Sequence, residues 1–96
     1  MTRPVALTDR LVLHPAVSLR PERFGALAYS FDTRRLSFLK HPDLVRVVEA
    51  LDGERSVGEC LVDAGVDETR WDSFLRALGS LRDSHMLADA GGDRAA

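Results

Sequence analysis

The stretch RFGALAYSFDTRRLSFLK, residues 23–40, predicts two antiparallel strands joined by a polar turn. In its first half large and small side chains alternate, in the order Ala26, Leu27, Ala28, Tyr29, Ser30 and Phe31. That period of two is typical of a strand with one face in the core. Residues 32–34 supply the turn. The second strand, residues 35–40, has apolar side chains on both faces, so its second face needs an explanation.

The residues before this stretch predict one further strand. Val17 and Leu19 alternate with smaller or polar neighbours over residues 16–20, and Pro21 is expected to end the strand. The run Leu11–Leu13 fits either an extension of this strand or a separate arm, because three apolar residues suit both. The first 40 residues therefore predict three strands.

After Lys40 the apolar period becomes helical. A first helix should begin at Pro42, a residue tolerated in the first turn, and stop before Gly53. Its apolar stripe consists of Leu44, Val47, Val48 and Leu51. Ser56 followed by Glu59 fits a capping box and predicts a second, short helix that Gly65 closes.

A third helix is predicted from an N-cap at Asp67 to about Ser84, with Met86 and Leu87 packing beyond it. Its apolar side chains spread over roughly 160°, wider than the ~100° that a core-facing helix needs. They are Trp71, Phe74, Leu75, Ala77, Leu78 and Leu81. The order of elements predicts an α+β domain, in which a three-stranded antiparallel sheet is followed by three helices that cover one face. Part of the wide stripe, together with the open edge of the third strand, would form a groove for an extended peptide.

Composition narrows the classes of partner. The chain has 96 residues, of which 45% are hydrophobic and 29% charged, as in a single folded domain. Its formal net charge of −2 gives no overall positive field toward nucleic acid or an anionic membrane. No apolar run approaches the ~20 residues of a membrane span. We expect a flexible arm over residues 1–10, one domain over residues 11–88 and a disordered tail over residues 89–96.

The candidate catalytic and metal-ligating residues are few. Cys60 is the only cysteine, which excludes an intrachain disulfide and a cysteine-based zinc site and favours a reducing, cytoplasmic compartment. His14, His41 and His85 lie at no ligand spacing and in no nucleophile motif. We therefore expect neither an enzyme nor a metal or other cofactor.

The pattern RPExFGALxYxFxTRxLSFLK, residues 20–40, resembles the mycofactocin peptide-chaperone family MftB, a branch of the PqqD-like precursor-peptide recognition proteins. Beyond Pro42 the likeness lies in element order, length and the segment 81–87. The resemblance implies a winged-helix-like fold and a non-catalytic role. Such a protein binds a ribosomally made precursor peptide, here the mycofactocin precursor, as a strand added between the third strand and the third helix. It then presents the peptide to a radical S-adenosylmethionine maturase, which modifies the C-terminal Val-Tyr end.

The resemblance and the groove together give the expected peptide-binding residues. On the strand these are Arg35, Leu36, Ser37, Phe38, Leu39 and Lys40, and on the helix Trp71, Phe74, Leu75, Leu78 and Arg82. Leu36, Phe38 and Trp71 would form apolar pockets, although apolar strand residues are more often core. The three cations would steer an acidic peptide, or remain solvated.

Two alternatives compete with peptide binding. A winged-helix DNA-binding regulator would place the third helix in a major groove. However, residues 68–84 contain no Asn or Gln, and three arginines are offset there by Glu68, Asp72 and Asp83. The second alternative is a homodimer that closes the open strand edge and so competes with the peptide.

Overall fold

The computed structural model describes residues 5–90. Its strands are β1 (Leu11–Leu13), β2 (Val17–Glu22), β3 (Gly25–Ser30), β4 (Leu36–Leu39) and β5 (Leu87–Asp89). Its helices are α1 (Pro42–Ala50), α2 (Val57–Asp63) and α3 (Trp71–Asp83), and a 3₁₀ turn (Glu68–Arg70) precedes α3. β2, β3 and β4 form an antiparallel sheet in that order, and β1 pairs with β5 in a second sheet. The predicted α+β fold, with a three-stranded antiparallel sheet and three helices, is confirmed.

The second sheet joins the two ends of the domain. Leu11 lies opposite Asp89 and Leu13 opposite Leu87, in antiparallel register. Leu11–Leu13 is therefore a separate strand and not an extension of β2, which decides between the two readings of that run. β5 was not predicted, because three residues following a helix carry too little alternation to be recognised as a strand.

Residues 5–10, part of the expected flexible arm, pack against the helices. The Val5 side chain is buried, and its N–H donates to the Leu75 carbonyl at 3.1 Å. The N–H of Gly58 in α2 donates to the Leu7 carbonyl at 2.9 Å. At the other end, Ala90 N–H donates to the Arg10 carbonyl at 2.8 Å. Residues on both sides of 11–88 thus make contacts with that segment, and residues 1–4 and 91–96 lie outside the described residues.

The core side of the β2–β3–β4 sheet is the side with small residues. Ala26, Ala28 and Ser30 are buried, whereas Leu27 and Tyr29 are half-buried and Phe31 is 66% exposed. α1 packs against β3, and small side chains allow a helix to approach a strand closely. The larger side chains of β3 consequently face away from the helices.

β2 continues through Pro21, where the sequence predicted its end. Pro21 lies opposite Ala26, and the strand ends at Glu22. β2 is an edge strand, and proline is tolerated at an edge because the missing N–H need not remove a ladder hydrogen bond. Gly25 follows directly in the hairpin, and a Cβ there would lie 1.7 Å from the Leu39 carbonyl oxygen. Only glycine allows this close approach of β3 to the end of β4.

The helix termini follow the predicted signals. The Ser56 hydroxyl accepts from Glu59 N–H at 3.2 Å, and the Glu59 carboxylate accepts from Ser56 N–H at 2.9 Å, which completes the capping box of α2. Asp67, predicted as the N-cap of the third helix, caps the 3₁₀ turn instead, and α3 itself begins at Trp71. Within residues 5–90, no helix combines the length and the hydropathy that crossing a membrane requires.

Candidate functional site

Within residues 5–90, no strand pairs with the outer edge of β4. β4 is the last strand of its sheet, and Ser30 N–H donates to the Arg35 carbonyl at 2.9 Å just before the strand begins. Hydrogen-bonded and non-hydrogen-bonded pairs alternate along an antiparallel ladder. The main-chain N–H and C=O groups of Leu36 and Phe38 therefore point away from β3, where an added strand would meet them.

The side chains of β4 divide between the two faces of the sheet. Leu36 and Phe38 are 62% and 45% exposed, and the strand register places them beside Tyr29 and Leu27. Ser37 and Leu39 face the helices, and Leu39 is buried in the core. An added strand would place alternate side chains on the outer face, next to Leu36 and Phe38.

The flanking cations Arg35 and Lys40 are exposed at the two ends of β4. The ion pairs of the described residues involve Arg46, Arg55, Arg70 and Arg82 and use neither of them. Both charges are therefore available to an acidic peptide that lies along β4.

A cleft of about 170 Å³ lies between the start of α1 and α3. Its lining consists of His41, Leu44, Ser73, Phe74 and Ala77. His41 follows the last residue of β4 by two positions, so the cleft is close to the end of the open edge. Since pockets for drug-sized ligands span roughly 300–1,000 Å³, this volume suits a single side chain better than a cofactor.

A charged bridge holds the helices at the cleft. The Arg70 guanidinium lies 5.1 Å from the centroid of the Phe74 ring and donates to the Asp43 carboxylate at 2.9 Å. Asp43 also pairs with Arg46 in its own helix. The hydrogen bond from Arg70, assisted by the positive charge of Arg46, lowers the pKa of Asp43 below its ordinary value. The start of α1 is thereby tied to the residue that precedes α3.

Of the five predicted helix residues, Phe74 lines the cleft. Trp71 is half-buried, and its indole N–H donates to the Val66 carbonyl at 2.9 Å. Leu78 is fully buried in the core. Arg82 pairs with Asp9 at 3.4 Å and with Asp89 at 3.7 Å, on the side of the helix that meets the N-terminal segment and β5. Leu75 accepts a main-chain hydrogen bond from the same N-terminal segment.

Several cleft residues were not predicted to line a site. Ala77 belongs to the wide apolar stripe that the sequence predicts for the third helix, and Leu44 to the stripe of the first. The missing information is that these two residues face each other, which depends on how α1 crosses α3. Ser73 and His41 carry no signal in the sequence that would distinguish them from ordinary surface residues.

His14 and Cys60 take part in local hydrogen bonds. His14 Nδ1 accepts from Ala16 N–H at 3.0 Å, and the buried Cys60 thiol donates to the Ala50 carbonyl at 3.4 Å. Burial raises the pKa of the Cys60 thiol, which disfavours the nucleophilic thiolate. Within residues 5–90, no three His, Cys, Asp or Glu side chains gather in a way that could hold a metal ion.

Comparison with known proteins identifies the family. A family model described as the peptide chaperone MftB family matches residues 10–88. The chain belongs to the MftB peptide-chaperone family. The match includes all three helices, for which the pattern over residues 20–40 gave the least support. A search of solved structures finds no match.

Three relatives named peptide chaperone MftB agree with this assignment. The Mycobacterium tuberculosis protein is 47% identical over 75 residues, which cover 78% of this chain and 69% of the relative. The Mycobacterium ulcerans protein is 44% identical over 82 residues, 85% of this chain and 75% of the relative. The Mycolicibacterium smegmatis protein is 47% identical over 75 residues, 78% of this chain and 74% of the relative.

Proposed function

We propose that this peptide chaperone binds the mycofactocin precursor peptide as a strand added to β4 and presents it to a radical S-adenosylmethionine maturase. The observation that carries the proposal is the open edge of β4, whose Leu36 and Phe38 main-chain groups are free to pair beside the cleft at His41. Relatives that are named peptide chaperones support a peptide as the ligand.

The expected peptide-binding residues serve this proposal in two ways. Within residues 35–40, Leu36 and Phe38 supply ladder hydrogen bonds and exposed side chains, and Phe74 supplies a wall of the cleft. Trp71, Leu75, Leu78 and Arg82 support the helix that carries this wall. Ordering a short peptide costs about 0.5–1.5 kcal/mol for each immobilised rotamer-rich side chain. Apolar contacts with Leu36, Phe38 and Phe74 must therefore add to the main-chain hydrogen bonds.

The chain itself would carry out no catalysis, and we infer a cytoplasmic site of action from its free thiol at Cys60. The ion pairs at α3 argue against a role on duplex DNA. Arg70 pairs with Asp43 and Arg82 with Asp9, which leaves Arg76 as the arginine of residues 68–84 that could contact phosphate. The presentation role depends on the maturase and on strand addition, and both can be tested directly.

Calorimetric titration with the precursor peptide at about 150 mM salt tests the capture step, since charge attraction is then screened beyond roughly 8 Å. We expect one peptide per chain. Insertion of the peptide at β4 should protect the amides of Leu36 and Phe38 from hydrogen exchange, while the amides of β2 stay unchanged. Saturable binding without protection at β4 would contradict strand addition. Absence of binding, both alone and with the maturase added, would contradict the proposed function.

A homodimer that persists unchanged when the peptide binds would show that dimerisation and peptide binding use different edges.

A further inference from the structure

The sheet has an apolar outer face, formed by Leu27, Tyr29, Phe31, Leu36 and Phe38. Phe31, Leu36 and Phe38 are 66%, 62% and 45% exposed. These three side chains alone present on the order of 300 Å² of apolar surface, comparable with the largest patch on a typical monomer, which is often functional. α1 packs on the opposite face of the sheet, so the outer face is not the surface that forms the core.

Positive charge borders the outer face. Arg20 lies in the same cross-strand row as Leu27 and Phe38, and the exposed cations Arg34, Arg35 and Lys40 flank β4. None of these four takes part in the ion pairs of the described residues. Residues 20–40 contain five basic and two acidic side chains, a net charge of +3 in a chain whose total is −2. The other residues therefore carry −5, and the outer face is the basic side of an acidic molecule.

These charges discriminate between possible occupants. A second copy of the chain would bring two positively charged rims together, which disfavours a symmetric dimer through this face. Aromatic and basic residues on a sheet also suit single-stranded nucleic acid, whose bases stack on flat rings. However, Tyr29 and Phe31 meet edge to face, with centroids 5.2 Å apart at 80°, so the two rings do not form one flat stacking platform. A protein surface with an apolar centre and a rim of carboxylates fits best.

We propose that the outer face docks such a partner protein, and that this partner is the maturase that receives the peptide. This inference rests on the proposed function. A peptide strand added to β4 would place every second side chain on the outer face, because side chains alternate along a strand. An enzyme docked on that face would lie directly beside the bound peptide. The docking surface meets the capture site at Leu36 and Phe38 and extends beyond it, across β3 to β2.

The test uses substitutions on the outer face that lie away from β4. Phe31→Asp introduces a carboxylate at one end of the apolar face, and Arg20→Glu reverses a charge of the rim on β2. Val62→Asp on α2 is the matched control for the first, since Val62 is 63% exposed. Arg76→Glu on the exposed surface of α3 is the control for the second. Each variant is titrated with precursor peptide by calorimetry and with the maturase by anaerobic biolayer interferometry.

We expect both outer-face variants to bind the maturase at least tenfold more weakly than the wild type while their peptide Kd stays within a factor of two. The two control variants should not show this loss of maturase binding. If the outer-face variants bind the maturase as strongly as the wild type does, the inference is overturned. A wild-type chain that binds the peptide but not the maturase would also overturn it. A dimer that Phe31→Asp dissociates would assign the face to a second copy and overturn it. Tight binding of a 20-nucleotide dT strand that Arg20→Glu abolishes would overturn it as well.

The two proposals fail in different measurements. A chain that does not bind peptide contradicts the proposed function, while the maturase titrations still decide whether the outer face is a docking surface. If Phe31→Asp loses its cooperative unfolding transition, Phe31→Ser replaces it, with Val62→Ser as the control. The same tenfold criterion applies to that pair.

Discussion

Replacing Phe38 with alanine should weaken peptide binding about 30-fold if the peptide adds to β4. Phe38 is the largest exposed side chain on that strand and is 45% exposed. For phenylalanine this corresponds to on the order of 90 Å². Covering that area contributes about 2 kcal/mol at ~25 cal/mol per Å², which is a factor of roughly 30 in Kd.

The same ring also contributes to folding, so the assay must separate binding from stability. The covered part of Phe38, on the order of 110 Å², contributes at most about 3 kcal/mol to the free energy of unfolding. A typical domain has ~5–15 kcal/mol available, so we expect the variant to remain folded. Urea denaturation measures the loss of stability, and calorimetry at physiological salt measures the Kd. Val62→Ala on α2 is the control, because it removes a comparably exposed apolar side chain away from the sheet.

An unchanged Kd for Phe38→Ala, in a variant with a cooperative unfolding transition, would refute the reasoning, because the exposed half of the ring would then not contact the peptide. A variant without such a transition would show instead that the ring mainly stabilises the sheet.

Three further substitutions test features of the fold. Gly25→Ala should destabilise the protein by more than ~2 kcal/mol, because the added Cβ would lie 1.7 Å from the Leu39 carbonyl oxygen. A variant that unfolds at the same urea concentration as the wild type would contradict this contact. Ser56→Ala should cost about 1 kcal/mol through loss of the capping box, detectable as a lower Tm. The hydrogen bond from Arg70 lowers the pKa of Asp43 in the folded protein. The ionised carboxylate therefore stabilises the fold at any pH above its ordinary pKa of 3.8. This contribution is lost as the pH falls through the lowered pKa of the folded state. The stability difference between wild type and Asp43→Asn should therefore shrink on acidification, and a pH-independent difference measured by urea denaturation would rule out this linkage.

Signals that lie within a few residues of each other predicted the helices well. Pro42, the Ser56 and Glu59 pair and Asp67 act through hydrogen bonds or steric limits inside one turn, so their effects do not depend on the rest of the chain. β5 was missed because its pairing with β1 spans nearly the whole chain. The core face of β3 could not be identified from side-chain size, because the close approach of α1 selects Ala26 and Ala28 for the interior.

The peptide-binding role of the predicted strand and helix residues stays a prediction, and the sequence indicated their positions in the fold only in part. Strand alternation put Leu36 and Phe38 on one face and Ser37 and Leu39 on the other, but with apolar residues on both faces it did not show which face is exposed. The wide apolar stripe of α3 has two edges, and the sequence could not assign them. One edge, at Leu75, is met by the N-terminal segment with its buried Val5, while the other, at Phe74 and Ala77, lines the cleft. A short apolar run before the first strand gives no indication of which helix it will contact.

The antiparallel pairing of β1 with β5 has a practical consequence for protein engineering. Because Leu11 lies opposite Asp89 and Ala90 N–H donates to the Arg10 carbonyl, a truncation that removes either strand leaves the other strand without its partner. Shortening the protein from either side should therefore lower its stability, even though the sheet that contains β4 keeps all its strands. A variant shortened for crystallisation or for fusion to another protein should keep residues 5–90.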